Sequence, residues 1–79
     1  MKLTYDPKYN IGYIRFREKS SEVETIRISE EMNIDMAPDG TIYGIELLDA
    51  RKQLTGDKVM KLVLENASTG KTSELELPA

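Results

Sequence analysis

Apolar and polar residues alternate with a period of two along most of this chain. Residues 2–6, Lys-Leu-Thr-Tyr-Asp, put Leu3 and Tyr5 on one face. Residues 12–17 put Ile14 and Phe16 on one face and Tyr13, Arg15 and Arg17 on the other. Residues 22–29 set Ile26 and Ile28 against Thr25, Arg27 and Ser29. Met32, Ile34 and Met36 then share one parity, and Tyr43, Ile45 and Leu47 oppose Ile42, Gly44, Glu46 and Leu48. This period suits antiparallel strands with one wetter face. Glu18-Lys19-Ser20-Ser21 reads as a polar turn between the second and third strands. The spacing predicts a mostly β (α+β) fold, an antiparallel β-meander of about five strands.

The stretch from Ile34 to Asp49 organises the rest. Pro38-Asp39-Gly40 predicts a three-residue hairpin: proline presets φ, aspartate tolerates the third position, and glycine takes positive φ. Gly44, inside the following strand, marks a bulge or a close approach by another backbone. Asp49 to Leu54 predicts a short helix, capped by Asp49 and stopped by Gly56. One or two turns cannot stand alone, so this helix must pack on the sheet. Residues 58–66 fit helical and strand spacing equally. Ser73-Glu-Leu-Glu-Leu77 alternates strictly, so a C-terminal hairpin of roughly 59–65 with 72–77 is expected. The expected core is Leu3, Ile14, Phe16, Ile26, Ile28, Ile34, Met36, Ile45, Leu47 and Leu54.

Seventy-nine residues make one domain, 1–79, that buries only roughly 60–65% of its unfolded surface. Residues 1–54 form the meander with its helix, and 55–79 the hairpin extension. With no cysteine or histidine, the chain lacks disulfides, thiol nucleophiles, the commonest general base and the usual zinc ligands. No run reaches the ~20 apolar residues of a membrane span, and no signal peptide opens the chain. A soluble, cytoplasmic protein is expected. Net charge is −3: +2 over residues 1–29, −4 over 30–56 and −1 over 57–79. That balance argues against a dedicated nucleic-acid binder.

Tyr5-Asp6-Pro7-Lys8-Tyr9-Asn10-Ile11-Gly12-Tyr13-Ile14-Arg15-Phe16 resembles the opening of a small prokaryotic family, domain of unknown function 2283. Asn33-Ile34-Asp35, the Asp39-Gly40 turn and Gly44-Ile45-Glu46-Leu47-Leu48-Asp49-Ala50 continue the resemblance, which covers roughly residues 3–54. Asn10 stands where the family commonly has aspartate, and the tail from Thr55 lies outside the pattern. The resemblance implies a small β-rich domain with no established enzyme activity. Members are sometimes encoded beside toxin-like proteins, which implies an antitoxin-like partner role and carries no site residue with it.

Four groups of side chains invite a functional reading. Asp35, Asp39, Glu46 and Asp49 flank the central hairpin, but turn, cap and solvated-face roles account for all four, and no nucleophile or base accompanies them. Tyr13, Arg15, Arg17 and Arg27 form a candidate interaction face for phosphates or bases, set against a solvated face with Arg pairs to Glu22 or Glu24. Tyr5, Tyr9, Tyr13 and Tyr43 divide between core and interface. Gly70-Lys71-Thr72 imitates a phosphate loop, yet Glu65 stands where its first glycine belongs, so it is a turn. No catalytic, cofactor or metal residue is expected. The reading is a non-catalytic protein-interaction module with a protein partner or itself as partner, as a homo-oligomer such as a dimer. The alternative is a binder of nucleic acid or an acidic ligand through the arginine face.

Overall fold

A computed structural model describes residues 1–54 and 60–77. The elements are β1 (Lys2–Asp6), β2 (Ile11–Arg15), β3 (Glu24–Ser29), β4 (Met32–Met36), β5 (Ile42–Leu48), α1 (Ala50–Leu54), β6 (Met60–Glu65) and β7 (Thr72–Leu77). The first five strands form one antiparallel sheet, and β6 and β7 pair as the separate C-terminal hairpin. The ambiguity at residues 58–66 resolves to strand over Met60–Glu65. The expected stop at Gly56 lies outside the described residues.

The meander closes back on itself. Its strand order is β1-β2-β5-β4-β3, so β5 lies beside β2, and β3 sits at the far edge. Residues 16–23 are therefore a crossing rather than the tight polar turn expected at Glu18–Ser21. They span three strand spacings, roughly 14 Å, well within the reach of eight residues. Three contacts pin the crossing. Lys19 Nζ lies 2.7 Å from Asp35 Oδ2, the Ser20 and Tyr43 hydroxyls are hydrogen bonded at 2.6 Å, and the Arg17 guanidinium stacks 4.7 Å from the Tyr43 ring centre.

The central turn forms as its residues predict. Gly40 N–H donates to Ala37 C=O at 3.0 Å, Ala37 N–H donates to Thr41 C=O at 2.8 Å, and Gly40 takes φ +90°. Asp39 Oδ1 accepts from the Thr41 N–H and hydroxyl at 3.0 and 2.7 Å. These bonds, led by the hydroxyl, hold the Asp39 carboxyl below its ordinary value.

The start of α1 corrects the expected cap. Asp49 has φ +50°, and its carboxylate accepts a bond from Asn10 Nδ2 at 2.8 Å. The helix is capped by Asn10, which belongs to the β1–β2 turn: its C=O accepts from Ala50 N–H and its Oδ1 from Arg51 N–H, both at 2.9 Å. Tyr5 OH donates to the same Oδ1 at 3.1 Å. Asn10 itself holds φ +56°, a conformation asparagine tolerates better than most residues. The helix lies close over β2 because Gly12 has no Cβ. A methyl there would sit 3.2 Å from Ala50 Cβ and 3.3 Å from Leu54 Cδ1.

The core is smaller than the pattern suggested. Among the described residues the buried apolar side chains are Ala37, Tyr43, Leu47 and Ala50. Of the ten expected, Leu47 alone is buried. Leu3, Ile14, Ile26, Ile34, Met36, Ile45 and Leu54 are half-buried, while Phe16 is 45% and Ile28 56% exposed. The alternation holds except where the register shifts at Arg27/Ser29 and Asp35/Met36, but one short helix and one hairpin are too little to cover a five-stranded face.

Two stability measurements follow. Leu47→Ala should cost about 2–5 kcal/mol, and Phe16→Ala less than the ~3–5 kcal/mol of a fully buried phenylalanine. Asn10→Ala should cost about 0.5–2 kcal/mol by uncapping α1, while Asp49→Ala leaves that cap in place. Urea midpoints check both orderings, and an Asp49→Ala loss larger than that of Asn10→Ala would refute the capping assignment.

Candidate interaction surface

The register sorts the sheet into rows. Leu3, Ile14, Ile45, Ile34 and Ile26 align across all five strands on one face. On the opposite face Thr4, Tyr13, Glu46, Asn33 and Arg27 align in one row, and Lys2, Arg15, Gly44, Asp35 and Thr25 in the next. One face is therefore aliphatic and the other polar.

The polar face is largely tied up within itself, Arg15 Nε being a buried donor without a partner. Tyr13, on β2, reaches diagonally across β5 to donate its hydroxyl proton to Asp35 Oδ2, on β4, at 2.7 Å. It crosses at Gly44, where a Cβ would lie 2.5 Å from the Tyr13 hydroxyl and 2.6 Å from the Ile14 carbonyl oxygen. The register also slips between Asp35 and Met36, so Gly44 adjoins a bulge as well as a close approach. Thr25 Oγ1 donates to Asp35 Oδ1 at 2.6 Å, and Lys19 Nζ sits 4.7 Å from the Tyr13 ring centre as it pairs with Asp35. One carboxylate thus gathers β2, β3, β4 and the crossing loop.

Asp35 is only 8% exposed, which corrects its expected place on a solvated face. Burial alone would raise its carboxyl pKa, but the bonds from Lys19, Thr25 and Tyr13 outweigh that and hold it below the ordinary value. The bond to Asp35, with the bond to Tyr13, raises Lys19. Burial first, then the bond to Asp35, raises Tyr13.

The candidate arginine face does not converge. Tyr13 and Arg15 share the polar face of β2, with Tyr13 committed to Asp35 and Arg15 paired with Glu18 at 3.3 Å. These pairings differ from the partners Glu22 and Glu24 expected from sequence. Arg17 lies past the end of β2, against Tyr43, Thr41 and Asp39. Arg27 sits three strands from Arg15, its Nε donating to Ser29 C=O at 3.3 Å. Between them stand Asp35 and Glu46, the latter accepting from Asn33 Nδ2 at 3.0 Å. Among the described residues no group of three or more acidic side chains is placed to hold a metal. The tyrosines divide: Tyr43 is buried, Tyr5 and Tyr13 are half-buried, and Tyr9 is 64% exposed. Gly70, at φ +73°, closes a turn in which Asn66 C=O accepts from the N–H groups of Thr69 and Gly70.

The aliphatic face is the unsatisfied one. The hairpin turns Leu62, Leu64 and Leu75 towards Leu3, Ile14 and Phe16, leaving an apolar cleft of about 380 Å³ between them. The opposite side of the hairpin is charged, with Lys61 paired to Glu74 at 3.0 Å. Beyond the cleft, Ile34 and Ile26 continue the row to the β3 edge, where the register shifts between Arg27 and Ser29 and leaves Ile28 without a partner across the ladder. Sequence reasoning predicted this hairpin but placed the isoleucines in the core. It missed Lys19 and Thr25, and Gly44 was the one signal that something passes close by.

The family model described as "Protein of unknown function (DUF2283)" matches residues 2–51. The chain belongs to that family. The match spans β1 to β5 and the start of α1, so the Tyr13–Asp35 bridge, Gly44 and the Asn10 cap all fall inside the family unit, and the hairpin of β6 and β7 lies beyond it. No curated protein and no solved structure matches the chain. No helix among the described residues is long and apolar enough to cross a membrane.

Gly44→Ala should cost about 1–3 kcal/mol, because its methyl collides with Tyr13 and the Ile14 carbonyl. Adding Tyr13→Phe should recover part of that loss, a non-additivity that a double-mutant cycle reads directly. Asp35 has a lowered pKa in the folded state, so its contribution is present above the ordinary carboxylate range, near ~pH 4, and is lost as pH falls through the lowered value. Asp35→Asn should therefore lower stability at neutral pH by about 1–3 kcal/mol and flatten the acid limb of a stability–pH curve. An unchanged acid limb would refute the assignment.

Proposed function

We propose that the chain is a non-catalytic protein-interaction module that binds through the aliphatic face of its sheet. The observation that carries this is the contrast between faces. Most polar side chains of the other face are bonded within the fold, Arg15 Nε being an exception, while Phe16, Leu64 and Leu75 remain about half exposed beside the apolar cleft. Contiguous apolar surface of this kind marks interaction sites. Masking a toxin partner, the antitoxin-like role implied by the family's gene neighbours, is a special case of this reading.

The arginine reading has less support. Arg15 and Arg17 are engaged internally, and Asp35 and Glu46 interrupt the path to Arg27. A phosphate backbone would meet alternating charge there.

The test is affinity capture of the tagged protein at low and high salt, with and without nuclease. Protein bound by the wild type should resist high salt, be lost with Phe16→Asp, and persist with Arg27→Ala. Recovery of nucleic acid that salt removes, with Phe16→Asp indifferent, would overturn the reading.

A further inference from the structure

The cleft between the hairpin and the sheet is apolar on both walls. At about 380 Å³ it falls within the range of small-molecule sites, roughly 300–1,000 Å³, and among the described residues no charged side chain lines it. Water inside finds no hydrogen-bonding side chain, and an apolar space of this kind takes an apolar guest instead. One end of the cleft is different. Met1 and Phe16 line the cleft, and they also line a shallower hollow of about 230 Å³ whose other walls are Lys2, Arg15, Arg17 and Glu18. Arg17 is held by Tyr43, Thr41 and Asp39. Lys2 and Arg15 are opposite each other in the β1–β2 register, and Lys2 forms no ion pair among the described residues. Arg15 pairs with Glu18, whose side chain is 88% exposed, and its Nε has no acceptor. So exposed a pair is weak, and an incoming anion displaces Glu18 at little cost.

We infer that the cleft is a binding site for a single-chain carboxylate amphiphile of the fatty-acid class, its alkyl chain between hairpin and sheet and its carboxylate on Lys2 and Arg15. The inference rests on the proposed reading of the aliphatic face as the surface that binds, and adds a small-molecule ligand to it. The two parts of the ligand match the two parts of the site. A carboxylate cannot enter the cleft, where its charge would be buried unpaired, so the head group belongs at the hollow, where the cations are. Arginine and lysine there supply charge-assisted hydrogen bonds to it. A cationic amphiphile meets two like charges at the same place, and a nucleotide gains nothing from apolar walls. The site is separate from the arginine row of the polar face, since Arg27 sits three strands from Arg15 and takes no part.

Titration of the full chain with decanoate below its micellar concentration, followed by NMR, tests this. Decanoate should shift the resonances of Leu3, Ile14, Phe16, Leu62 and Leu75 saturably and leave those of Ile26 and Ile28 in place. Each two carbons added, from octanoate to decanoate to dodecanoate, should lower Kd about 10-fold, as burial of the chain requires. Lys2→Ala combined with Arg15→Ala should raise the Kd of decanoate about 10-fold and leave that of uncharged decanol unchanged. The decanol arm reports that the cleft of the variant is intact. Shifts spread over the whole chain without saturation, an affinity indifferent to chain length, or a double variant that binds decanoate as the wild type does, overturns the inference. Affinity capture separates the two claims. No decanoate binding, with a salt-resistant protein still captured and lost with Phe16→Asp, overturns the ligand and leaves the interaction module standing. Decanoate bound as expected, with no protein captured, supports the ligand and overturns the module.

Discussion

Tyr13 reaches Asp35 across a strand that has no side chain at the crossing point, and the sheet depends on that bridge. β5 runs between β2 and β4, so the two partners are neighbours only because Gly44 leaves the space open. Once Asp35 is buried, its charge must be met, and Lys19, Thr25 and Tyr13 meet it. Lys19 comes from the crossing loop, so satisfying the carboxylate also fixes the path from β2 to β3. An unpaired buried carboxylate would cost far more than any one of these bonds contributes. The strand order and the polar cluster are therefore one constraint seen from two sides.

The same constraint divides the labour between faces. Each strand places alternate residues on opposite sides, so the polar groups of one face are free to bond chiefly to one another. The other face holds aliphatic side chains with too little chain to cover them. α1 is five residues long and relies on Asn10 for its first N–H bonds, while the hairpin stands over β1 and β2 with a cleft between.

Asn10 shows how a local rule yields to tertiary structure. Asp49 precedes the helix and has the right chemistry for a cap, so reading along the chain selects it. Asn10 is 39 positions away in sequence, yet the pairing of β2 with β5 brings its turn to the helix start. Its amide offers both a donor and an acceptor: Oδ1 takes the Arg51 N–H and Nδ2 gives to Asp49. An aspartate there, common in the family by resemblance, would keep the acceptor and lose the donor facing Asp49.

The strands themselves, the Pro38-Asp39-Gly40 turn and the C-terminal hairpin were legible in the sequence, because period-two alternation and glycine's access to positive φ are properties of a few adjacent residues. Which face most residues occupied was legible for the same reason, except at the two register shifts, which bring Ser29 opposite Met32 and Ile42 opposite Met36. Burial was not, since it depends on how much chain remains to cover a face, and here five strands meet one short helix and one hairpin. Nor was the order of the strands, because alternation is identical whichever neighbour a strand takes. The cluster of Tyr13, Lys19, Thr25 and Asp35 joins residues spread over 22 positions, and only the placement of β5 between β2 and β4 brings them to one carboxylate. Local chemistry determined the pieces and their two-sidedness; the long-range pairing of β2 with β5 decided which side was closed by its own bonds and which was left partly uncovered.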